Sequence, residues 1–66
     1  ETAAFSQNLK QIIRLAPAFE KLPPEQREVL DLLCTKIARV LVGNNKEKDH
    51  WADIAGYAKL GEEACD

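Results

Sequence analysis

No stretch of the 66 residues comes near the ~20 consecutive apolar residues that a membrane span needs, and no signal-peptide pattern is visible. A membrane partner is therefore not expected. Basic runs are missing too: nine Lys and Arg stand against eleven Asp and Glu, spread along the chain, so nucleic-acid binding through phosphate neutralisation is disfavoured. Cysteine is scarce. Cys34 and Cys65 lack metal-ligand spacing and disulfide-rich company, which predicts free thiols in a reducing cytoplasm. His50 is the one histidine, without the serine or cysteine neighbour of a nucleophilic dyad. Strand alternation, repeats and low-complexity tracts are all absent.

What is present is helical periodicity. Phe5, Leu9, Ile12, Ile13 and Ala16 recur on one stripe behind Thr2 as N-cap. Pro17 predicts a helix end or kink near Leu15, with "AFEKL" as a separate turn. "LPPEQREVL" is a helix start, because a proline in the first turn loses no hydrogen bond and Glu25 and Glu28 favour the positive end of the helix dipole. This second helix runs to Val42 with a stripe of Leu30, Leu33, Cys34, Ile37 and Leu41, broadened by Val29, Ala38 and Val40. Gly43 is then expected as a left-handed C-cap. A polar turn leads to Asp49 as N-cap of a third helix, which carries Trp51, Ile54, Ala55 and Ala58 on one face and frays at Gly61. The expected architecture is all-α: residues 1–66 as one small helical domain of three helices, the second and third forming an antiparallel hairpin.

Candidate chemistry is thin. Asp49 and Asp53, four residues apart on one helix face, are the minimum for a divalent cation such as magnesium, yet two carboxylates rarely suffice. The preferred reading has Asp49 capping the helix and Asp53 in an ion pair, so no metal or cofactor is expected. Glu25, Glu28 and Asp31 recur at steps of three, as on acidic helices of nucleotide pyrophosphatases, but they read better as a solvated face. Lys36 and Arg39 either hold a phosphate or bridge to Asp53 across the hairpin, and the structural bridge is favoured. Trp51 is expected to anchor the hairpin. Gly56 costs ~1 kcal/mol against alanine within a helix, so a close approach is expected on the face it shares with Asp53, Tyr57 and Leu60. Leu32 and Val42 fall off the second helix's stripe. Together, Leu32, Val42, Gly56, Tyr57 and Leu60 are the predicted partner contacts.

The stretch from Lys36 to Leu60, "KIARVLVGNNKEKDHWADIAGYAKL", with Pro24 and "QRE" before it, resembles a family of small bacteriophage and prophage helical proteins of unknown function. Its pattern is "KIxRIL" followed by "DHWxDIAGYA", and "FSQNLKQIIR" is similar to its first helix. The turn departs from the family, "GNNKEKD" standing for "GDPNxxD". The resemblance implies an all-helical phage accessory protein in the cytoplasm of an infected or lysogenic host, with no assigned activity. The expected function is helix-face contact, with a second copy of the chain and with a host or phage protein, rather than catalysis. The alternative is a nucleotide-binding or nucleotide-processing protein in which Lys36 and Arg39 hold phosphate and Asp49 and Asp53 hold magnesium.

Overall fold

The computed structural model describes residues 1–65 and contains three α-helices: α1 (Thr2–Ile13), α2 (Pro24–Ala38) and α3 (Lys48–Glu63). No strand occurs among the described residues. Between α1 and α2 lies a short 3-10 turn, Pro17–Lys21, and α2 continues into a π-helical turn, Arg39–Gly43.

Prolines set the boundaries, as their chemistry requires. Ala16, Leu22 and Pro23 each precede a proline, and all three are extended, with ψ of 120°, 150° and 148°. The chain thus leaves α1 after Arg14, makes its 3-10 turn, and re-enters a helix at Pro24. The caps differ from expectation. Glu1 rather than Thr2 caps α1, its carboxylate accepting from the backbone N–H of Ala3 and Ala4, while Thr2 is already helical. Glu47 rather than Asp49 caps α3: the turn from Asn44 to Glu47 leaves Glu47 as the last extended residue, its carboxylate reaching the Asp49 N–H at 3.5 Å.

Gly43 is not left-handed, since no described glycine has positive φ. Instead the Asn44 N–H donates to the Arg39 carbonyl at 3.0 Å, a five-residue closure that satisfies the helix end without a special backbone conformation. Gly61 does not mark a frayed end either. It lies inside α3 on the side facing α2, where a Cβ would sit in ordinary contact with Val29 Cγ1 at 3.5 Å.

α2 is the central helix, with antiparallel neighbours on opposite flanks. Its α1 side carries Asp31, Thr35 and Ala38: Thr35 Oγ1 and Ser6 Oγ are 3.3 Å apart, and Arg14 grips Asp31. Its α3 side carries Val29, which meets Gly61, and Lys36, which meets Asp53. At about 100° per residue these two rows lie on opposite sides of α2. The result is a layer one helix thick, measuring 34 × 24 × 12 Å.

Such a layer buries little. The buried apolar side chains are Phe19, Val29, Cys34 and Ala38, with Ser6 the one buried polar residue among those described. The radius of gyration is 12.2 Å, against about 11 Å for a compact chain of this length. The accessible surface is 4804 Å², against roughly 4200 Å² expected for a folded monomer of 7.4 kDa.

Candidate functional site

The two faces of the layer differ in kind. On α2, Leu30 and Ile37 point about 90° away from both packing rows, and Leu41 follows them in the π-helical turn. Ile37 is exposed and Leu41 is 66% exposed. The residues of α2 and its π-helical turn on this side, Gln26, Leu30, Cys34, Ile37 and Leu41, include no charged side chain. On α3 the same face carries Ala58, which lines a shallow groove with Leu22, Leu30, Leu33 and Gly61, and, two turns earlier, Trp51. On α1, Ala3, Gln7 and Lys10 flank a cleft on the far side of the layer, which leaves Phe5 and Ile12 on this one. Ile12 is 60% and Trp51 54% exposed.

The sequence expectation for this stripe holds in part: Val29, Cys34 and Ala38 are buried, whereas Ile37 and Leu41 are exposed. Ile37, Leu41, Trp51, Ala55 and Ala58 have the spacing of a core, but the helices pack through the rows beside them and leave these five exposed. Trp51 in particular does not anchor the hairpin: its indole N–H donates to the Asn45 carbonyl at 2.9 Å, and the ring lies over the polar turn, half exposed.

The opposite face is charged. Arg14 donates two hydrogen bonds to Asp31, at 2.8 and 2.7 Å, and its guanidinium lies 4.6 Å from the centre of the Phe19 ring. That hydrogen bonding holds the Asp31 carboxyl below the usual carboxylate range, against an opposing push from partial burial. Farther along, Lys10, Arg39 and His50 border an open cleft of about 630 Å³ with Ser6, Gln7 and Thr35. His50 Nδ1 is enclosed there without a hydrogen-bond partner.

The predicted site residues are divided between these places. Lys36 Nζ lies 2.6 Å from Asp53 Oδ2, bridging α2 and α3, whereas Arg39 joins no ion pair among the described residues and faces the cleft. The π-helical turn that begins at Arg39 carries it there. Asp49 is exposed, and no group of three metal-ligating side chains exists among the described residues. Leu32 and Leu60 line one groove on the charged side with Glu28 and Glu63. Tyr57 is half-buried on the α2-facing row and Val42 is exposed at the π-helical turn. Gly56 is exposed, and no described residue lies within 4 Å of a Cβ built there, so the close approach expected at this glycine does not occur among the described residues. Burial pushes the Cys34 thiol up, away from the thiolate a nucleophile needs.

Comparisons with protein-family models, with curated proteins and with solved structures find no match. The reading of function therefore rests on the residues and their geometry. No helix among the described residues is long and apolar enough to cross a membrane.

Proposed function

We propose that the chain is a protein-interaction module that works through an apolar helix face, not an enzyme. One observation carries this: Phe5, Ile12, Ile37, Leu41 and Trp51 are exposed on the same side of a layer one helix thick. Exposed apolar surface of this extent marks a contact site, because leaving it in water forfeits roughly 25 cal/mol for every Å² that could be covered. The phage or prophage setting, the cytoplasmic location and a host or phage partner belong to the same proposal and rest on the "KIAR…DHWADIAGYA" resemblance.

The alternative is nucleotide binding, and the cleft of Lys10, Arg39 and His50 is the place for an anion. Its magnesium half is weakened by the bridge that Asp53 makes to Lys36. A thermal-shift screen of nucleotides with and without magnesium separates the readings. No shift is expected; stabilisation that requires both nucleotide and magnesium would overturn the interaction module.

A further inference from the structure

We infer that the apolar face is covered by a second copy of this chain, two layers meeting face to face as a symmetric six-helix dimer. This rests on the reading of that face as a contact surface and names what covers it. Three observations favour a second copy.

The first is architectural. Helical domains bury their stripes between two layers of secondary structure, and this chain supplies one. A second copy brings the missing layer with the matching stripe, so Leu30, Ile37 and Leu41 of one protomer meet the same row of its partner.

The second is area. The layer's 34 × 24 Å footprint is on the order of 800 Å², which is what each side of a standard specific interface contributes. Neither a small ligand nor a single helix would cover that width.

The third is charge. A two-fold interface sets each patch against itself, so a charged patch would meet its own sign. The α2 row on this face carries no charge at all, while the charged side chains Lys10, Asp31, Arg39 and Glu28 stay on the outer face.

The test is sedimentation equilibrium on the wild-type chain from about 100 µM down to about 1 µM, with Trp51 emission followed over the same dilution. Twice the 7.4 kDa chain mass is expected at the upper end. As the mass falls on dilution, the emission of Trp51, the one tryptophan, should shift to the red. Leu41→Lys should weaken association at least about tenfold with an unchanged circular-dichroism spectrum, because Leu41 is already mostly exposed within one chain. Leu60→Lys, on the charged face, should leave association unchanged. A monomer throughout overturns the second copy while leaving the interaction-module reading to its own nucleotide test. A dimer broken by Leu60→Lys and not by Leu41→Lys overturns the choice of face.

Discussion

The charged and apolar faces of this layer are made by the same three helices, yet they are finished differently. On the charged face, Arg14 covers Phe19 and clamps Asp31, closing the α1–α2 seam with side chains from the chain itself. On the apolar face the corresponding side chains, Ile12, Leu41 and Trp51, are each more than half exposed. One side has its α1–α2 seam closed by the chain itself, though Leu60 stays exposed there, and the other is an open half of a core. Fold stability should accordingly respond to changes on the first, and assembly to changes on the second.

The sharpest way to break that contrast is at Phe19. Phe19→Ala removes the largest buried side chain of the charged-face seam and is expected to cost about 3–5 kcal/mol, enough to unfold so small a domain at room temperature. Chemical denaturation checks this, and a melt unchanged from wild type would mean that the seam is not what holds the monomer.

The two helix glycines give the next contrast. Gly61→Leu drives a side chain toward Val29 and should destabilise by about 1–3 kcal/mol. Gly56→Leu enters open space and should stabilise by up to ~1 kcal/mol through helix propensity. Thermal melts of both variants, side by side, decide it; equal signs would show that the α2–α3 seam is not the one described.

How much of this was legible beforehand follows from the same rows. Three helices, the proline-set boundaries and the hairpin follow from periodicity and local sterics, which the chain carries residue by residue. The packing rows do not. Ser6, Thr35 and Gly61 are small or polar, so an apolar-periodicity reading passes over them; it takes in the buried Ala38 but equally Ile37, Leu41 and Trp51, which are exposed. Small residues let helices approach side by side, and that proximity fixed the layer while the bulkier stripe was left out. Of the two helical glycines, Gly61 is the one that faces α2, in ordinary contact range of Val29, while Gly56 meets no described residue of the chain. The caps were misplaced by one residue at α1 and two at α3, because glutamates took positions where threonine and aspartate are the commoner choice.

Smaller effects are expected from the two ion pairs that tie the neighbours to α2. Lys36→Ala should cost only ~0.2–1 kcal/mol, since Asp53 is partly solvated, and it should leave the assembly state unchanged. The Arg14–Asp31 pair is better read by pH. The folded-state carboxyl of Asp31 is held below its ordinary value, so its contribution is fully present above the ordinary carboxylate range and is lost as pH falls through the depressed value. Arg14→Ala should move the Asp31 titration upward toward the ordinary range, as followed by carboxyl NMR. A midpoint that does not move would remove Arg14 as the cause.

The claim that matters most is that the bare apolar face is half of a core whose other half is a second copy. Sedimentation equilibrium across dilution, with Trp51 emission read on the same samples, tests it without any substitution. A mass near twice 7.4 kDa that falls on dilution while the emission moves to the red is the predicted result. A single-chain mass at every concentration, with emission that never changes, would contradict it.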